Sequence, residues 1–129
     1  MNTLTHDPML GHITTFGGNP VCCASAHATL EVLMQENLIA QVEEKGRYLQ
    51  SLLQHPDIRE IRRIGLLFAM DFASAEKVNR IVAKARDNGV ILYWFLSHPH
   101  SIRMAPPLTI SKDQLKESAE MILDAIAHS

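Results

Sequence analysis

The residue types that could do chemistry collect in a few short stretches. Thr14-Thr15-Phe16-Gly17-Gly18 sets two hydroxyls beside two glycines, just ahead of Asn19-Pro20. Asn19-Pro20 is a helix start, because Asn caps free amides and proline at the first helical position needs no donor. Hydroxyls, glycine backbone and a helix N-terminus can together hold a phosphate, since all point donors at an anion. The segment lacks the lysine of a P-loop and the third glycine of a dinucleotide fingerprint, so a plain turn and helix cap stands beside the phosphate reading. Arg103 is the one cation in Ser101-Ile102-Arg103-Met104-Ala105-Pro106-Pro107-Leu108, at the end of an apolar segment and before two rigid prolines. A guanidinium fork fits a carboxylate through two parallel hydrogen bonds, and the residue types alone leave that use and simple edge exposure both open.

Other candidates read more plainly. His6, Asp7 and His12 lie close together, as do His98 and His100. No pair falls at i, i+4 on an expected helix and no cysteine pair has zinc spacing, so the expectation is loop histidines and no metal. A helix dipole at Cys22 and Cys23 would favour a thiolate, but their small apolar neighbours predict inert burial. Tyr93-Trp94-Phe95 could border a channel; core packing is the role expected of them.

The elements that must position these residues fit within one globular domain of 129 residues, 47% hydrophobic and 20% charged. Twelve Lys and Arg against fourteen Asp and Glu give a net charge of −2. The basic residues are scattered apart from Arg59, Arg62 and Arg63, which argues against nucleic acid as a partner. The longest apolar stretches, Ile64 to Met70 and Gly89 to Leu96, fall far short of the roughly 20 residues that span a bilayer, so no membrane partner is expected. No secretory signal is visible at Met1 to Pro8, and adjacent cysteines suit a reducing compartment. A soluble, cytoplasmic protein is the expectation.

Residues 1–20 read as loop. Val21 to Leu33, rich in Ala, Cys and Ser, predicts a helix buried on more than one side. After the Glu36-Asn37 break, Leu38 to Gln54 has amphipathic helical spacing that His55-Pro56-Asp57 stops. Ile58 to Phe72 reads as a strand pair or a bulged strand around Gly65, with Leu66 to Phe72 a buried strand ending in charge. Val78, Ile81, Val82 and Ala85 keep helical spacing up to Asn88-Gly89. Val90 to Phe95 and Ser101 to Met104 read as strands, and Ser111 with Gln114 offers a capping box to a last helix. The natural architecture is α+β, with helices packed on one face of a small, mostly antiparallel sheet.

His12-Ile13-Thr14-Thr15-Phe16-Gly17-Gly18-Asn19-Pro20 resembles the His-x-(Ser/Thr)-Thr-(Phe/Tyr)-Gly-Gly-Asn-Pro segment of the class III aminotransferases, the ornithine, acetylornithine and 4-aminobutyrate type, which use pyridoxal 5'-phosphate. Ile61-Arg62-Arg63-Ile64-Gly65-Leu66 resembles their Val-Arg-Gly-x-Gly-Leu strand, with Arg63 where the family usually has glycine, and Ile102-Arg103-Met104-Ala105-Pro106-Pro107-Leu108 their Ile-Arg-x-x-Pro-Pro-Leu. The resemblance covers essentially the whole chain and only the C-terminal part of the family. It implies the small C-terminal domain of a fold-type I aminotransferase, with residues 1–20 an interface and cofactor-phosphate loop and 21–129 the domain and its leading helix.

Carried over residue by residue, the resemblance implies that Thr15 reaches the cofactor phosphate of the neighbouring subunit, while Thr14 and Phe16 wall it. Arg103 would bind a substrate carboxylate or pair with an acid of the large domain. None of the five lysines, Lys45, Lys77, Lys84, Lys112 and Lys116, lies in a segment resembling the motif of the cofactor lysine. The implied complete enzyme is a homodimeric transaminase moving an amino group from an amino acid or ω-amine donor to a 2-oxo acid. This chain would hold no cofactor and show no activity without its own large domain. A stand-alone small-molecule-binding module and a dimerisation module are the competing readings.

Overall fold

The computed structural model describes residues 14–129. It divides into two compact units, one ending at Asn37 and the other running from Leu38 to Ser129.

In the first unit a turn over Thr15 to Gly18 leads into α1 (Pro20–Gln35). Asn19 caps it, its side chain accepting from the amides of Val21 at 3.0 Å and Cys22 at 3.3 Å. Asn37, in the left-handed region at φ 49°, ends the unit. The burial expected of α1 is not found: none of its residues is buried, and Cys22 and Cys23 are exposed and free rather than packed away. Small residues permit close approach of another surface but do not supply one. Val21, Leu30, Val32 and Met34 are left in the open.

The second unit is the α+β domain. Leu38, Leu49 and Leu53 give α2 (Leu38–Leu52) and its exit a buried stripe. The next segment is a true strand pair, β1 (Glu60–Ile64) and β2 (Leu67–Asp71), antiparallel in unbroken register, with Gly65-Leu66 as a two-residue turn. Gly65 has φ +57°, a conformation that such hairpins assign to glycine. Ser74 caps α3 (Ala75–Asp87), which closes at Asn88 and Gly89. The strand expected from Val90 shrinks to β3 (Tyr93–Trp94), because the Val90 amide turns back to the Ala85 carbonyl at 2.8 Å and finishes the helix instead. β4 (Ser101–Met104) and α4 (Lys112–Ala127) follow, the latter with a complete Ser111–Gln114 capping box.

The strands run β1-β2-β4-β3, every neighbouring pair antiparallel. One sheet face carries Phe68, Met70, Ile102 and Met104, buried against Leu49, Val78, Ile81, Leu115 and Ile122 from the three helices. Each such side chain contributes about 1.5–3 kcal/mol of burial. The other face carries Arg62, Ile64, Leu67, Ala69, Tyr93 and Arg103, and the three helices of this unit pack on the first face instead.

Helix α2 meets the hairpin closely. A Cβ on Gly46 would collide with the Gly65 carbonyl oxygen, and one on Gly65 with the Val42 side chain. Arg63 closes this contact, giving Glu43 two hydrogen bonds at 2.8 and 2.9 Å and Gln50 one at 2.8 Å. The residue that replaces the family's glycine is therefore a tie between α2 and β1. Its guanidinium holds the Glu43 carboxyl below the ordinary glutamate range.

Candidate functional site

The site residues fall in both units. Thr14, Thr15 and Phe16 share one turn in the first, while Arg103 lies on β4 in the second. His12 lies outside the described residues, as do His6 and Asp7.

The turn is built tightly around its glycines. Gly17 donates to the Thr14 carbonyl at 3.3 Å and Asn19 to that of Phe16 at 3.1 Å. Gly18 sits at φ +76°, a conformation that favours glycine, and Gly17 packs against the Thr14 side chain. The hydroxyls of Thr14 and Thr15 stand at an exposed surface with no side-chain partner among the described residues, and the Phe16 ring is 69% exposed beside them. The amides of Val21 and Cys22, by contrast, are spent on Asn19. An anion meeting this turn would therefore find threonine hydroxyls, with the first helix amides already capped.

Arg103 stands on the open sheet face in a cross-strand row. Its neighbours are Ala69 on β2 and Tyr93 on β3, with Arg62 beyond Ala69. The Arg103 guanidinium lies over the Tyr93 ring, 5.7 Å from its centroid. Arg62 is paired with Asp71 at 2.7 Å and Glu60 at 3.3 Å, whereas Arg103 has no acidic partner among the described residues. An exposed cation with no acid beside it can still take a carboxylate or phosphate.

Two other contacts hold β4 and the segment after it. Ser101, fully buried, donates to Asp71 Oδ1, the oxygen that Arg62 also grips, and His98 Nε2 lies 3.9 Å from Asp71 Oδ2. Lys45, buried on α2, donates to the Leu108 carbonyl at 2.8 Å and so anchors the chain just after Pro106-Pro107. That bond compensates an ammonium withdrawn from water. All five lysines lie on α2, α3 or α4.

Sequence reasoning missed Lys45 and Ser101. Lys45 sits in an amphipathic helix among charged residues, where its type signals solvent. Ser101 reads only as the start of a strand, although the charge at the end of the Leu66 to Phe72 run marks its partner, Asp71. For Tyr93 and Trp94 the expected core packing is corrected: they are 54% and 46% exposed, because β3 is a two-residue edge strand whose Tyr93 shares the face of Arg103, away from α2, α3 and α4. Among the described residues no cluster of His, Cys, Asp or Glu could hold a metal ion, and no helix is long and apolar enough to cross a membrane.

The family model for class III aminotransferases matches residues 2–126. Among solved structures, an aminotransferase of Bacillus anthracis aligns with 99% of this chain and 33% of its own, at 26% identity and a TM-score of 0.82. The ornithine aminotransferase of Toxoplasma gondii aligns with 92% of this chain and 29% of its own, at 31% identity and a TM-score of 0.79. The ornithine δ-aminotransferase of Plasmodium falciparum aligns with 91% and 31%, at 35% identity and a TM-score of 0.75. The chain spans about a third of the length of these proteins.

Proposed function

The chain belongs to the class III aminotransferase family, and on that premise we propose that it is the C-terminal part of a pyridoxal-phosphate transaminase, inactive until joined by its large domain. The observation that carries the reading is Arg103, an exposed cation on the sheet face away from α2, α3 and α4 with no acidic partner among the described residues, in the same cross-strand row as Arg62, which has two. It fits a residue that receives a carboxylate, from the amino acid or 2-oxo acid being processed or from an acid of the large domain. Its role is recognition, since a guanidinium stays protonated and moves no proton.

The turn supports the second half of the reading. Thr15 and Thr14 present hydroxyls that can donate to the cofactor phosphate, and the exposed Phe16 ring supplies an apolar wall. In this reading residues 1–20 form an interface loop, and Thr15 serves the phosphate of the neighbouring subunit in a homodimer. When bound, pyridoxal phosphate supplies the electron sink that loosens bonds at the carbon bearing the amino group. Lys45, Lys77 and Lys112 are engaged with Leu108, Asp57 and Glu44, and Lys84 and Lys116 lie on helix surfaces. By the family resemblance, the covalent lysine belongs to the large domain, as does the choice of amino donor.

The test is an absorbance spectrum of the purified chain after incubation with pyridoxal phosphate and gel filtration. No retained cofactor is expected. A stoichiometric retained band that borohydride fixes to one of these lysines would overturn the division of labour and make this chain a cofactor-binding unit by itself. Saturable amino-acid binding by the chain without cofactor that survives Arg103→Lys would replace the reading with that of a stand-alone binding module.

A further inference from the structure

Arg103 has support on one side only. Across β4 and β2 it faces Ala69, whose methyl offers a long side chain nothing to bond, while across β4 and β3 it faces Tyr93. The guanidinium carbon lies over that ring at 5.7 Å, within the range at which a ring face attracts a cation. We infer that Tyr93 is a positioning residue for Arg103, holding its guanidinium over the sheet so that the N–H fork is presented unspent to a carboxylate. This rests on the reading of Arg103 as the carboxylate-binding residue.

The chemistry of the contact is what makes it suitable. A neighbouring Asp or Glu would fix the arginine but also neutralise it and occupy its donors, as Asp71 and Glu60 do for Arg62. A ring face attracts the cation through its quadrupole and takes up no N–H on an acceptor atom. The arginine is thus oriented and still charged. Tyr93 has no hydrogen bond through its hydroxyl among the described residues, so the ring alone does the holding and phenylalanine should replace it. Ring and guanidinium are both on exposed residues of the sheet face away from α2, α3 and α4, where a large substrate or a carboxylate-bearing surface can reach them.

The side-chain proton and nitrogen resonances of Arg103, assigned by their loss in Arg103→Lys, give the test in the 129-residue chain. The chain is titrated with sodium acetate against sodium chloride at matched ionic strength. In the unsubstituted chain the Arg103 side-chain protons are expected upfield of ordinary arginine values, from the ring current, and to shift saturably with acetate alone. Tyr93→Phe should keep both properties. Tyr93→Leu should lose the upfield displacement and bind acetate about two- to fivefold more weakly, the ratio that an exposed cation–π contact corresponds to. Methyl resonances of Met70 and Ile102 on the buried face report whether each variant keeps the fold, and Tyr93→Gln repeats the measurement if leucine draws the edge strand into new contacts. A Tyr93→Leu chain that keeps the unsubstituted displacement and affinity overturns the inference. Acetate that leaves Arg103 unmoved in the unsubstituted chain, while Tyr93→Leu still loses the displacement, brings down the carboxylate reading and leaves the orienting contact standing.

Discussion

The two units are made of similar apolar residues put to different use. From Leu38 onward, Phe68, Met70, Ile81, Ile102 and Ile122 are buried on one another, and each helix turns a single stripe to the sheet. In α1 no residue is buried, and Val21, Leu30, Val32 and Met34 are exposed. The second unit therefore carries a core of its own, while α1 is a well-capped helix with no fully buried residue. Polar contacts divide the same way. Arg63, Lys77 and Lys112 of the second unit reach across 20 to 68 residues of sequence to their acids, but His27 and Glu31 in α1 are one helical turn apart. A region rich in apolar residues is not the same as a region with a core; the difference is whether the facing surface is present.

The largest test of that contrast is truncation on each side of it. Phe68→Ala removes a fully buried ring from the middle of the sheet and should cost about 3–5 kcal/mol in urea unfolding. Leu30→Ala in α1 should stay within about 0.5 kcal/mol, as exposed positions do. Equal losses would break the comparison and mean that α1 is covered in solution. A smaller effect, opposite in sign to what helix propensity alone gives, belongs to Gly46. Replacing a helical glycine by alanine ordinarily gains about 1 kcal/mol. Here the added methyl meets the backbone carbonyl of Gly65, which has no flexible end to move aside. Gly46→Ala should therefore destabilise the chain by about 1–3 kcal/mol. A gain in stability would show that α2 stands off the hairpin.

The same contrast explains what the sequence made legible. Ser111 with Gln114 spelled out the α4 capping box, and Ser101 to Met104 matched β4 to the residue, because caps and alternation are local and carry their cause within a few residues. The Gly65 hairpin was legible as one of two alternatives, and the continuous register of β1 and β2 decided between them. What failed depended on distant surfaces. The small residues of α1 signalled a close neighbour that the described residues do not provide, and Tyr93 looked like core because aromatic strand residues so often are. Of the site, Arg103 and the Thr14-Thr15-Phe16 turn were visible as residue types at defined spacings. The ring under the guanidinium was not, since the β4–β3 pairing that sets Tyr93 opposite Arg103 joins two strands across a loop.

The smallest effect, and the one that sharpens the comparison most, is acid sensitivity. Hydrogen bonds from Arg63, Lys112 and Lys77 hold the carboxyls of Glu43, Glu44 and Asp57 below their ordinary values. These pairs join α2 to β1, α2 to α4, and the loop after α2 to α3. A carboxyl that ionises more readily folded than unfolded adds stability that is complete above the unfolded value, near about pH 4, and is lost as pH falls through the lower folded value. Lys112, raised by Glu44, acts at the other end: its contribution is present below the ordinary lysine value and is lost as pH rises through the raised one. The urea midpoint of the second unit should thus fall on acidification below about pH 4.5, and Glu43→Gln should flatten that fall. Because the three carboxylates are solvent-accessible, added salt should shrink the difference between Glu43→Gln and the unsubstituted chain. A Glu43→Gln chain with an unchanged acid slope would mean that the Arg63 tie, although well formed, contributes nothing to holding α2 on the sheet, and that the close Gly46–Gly65 approach is enough by itself.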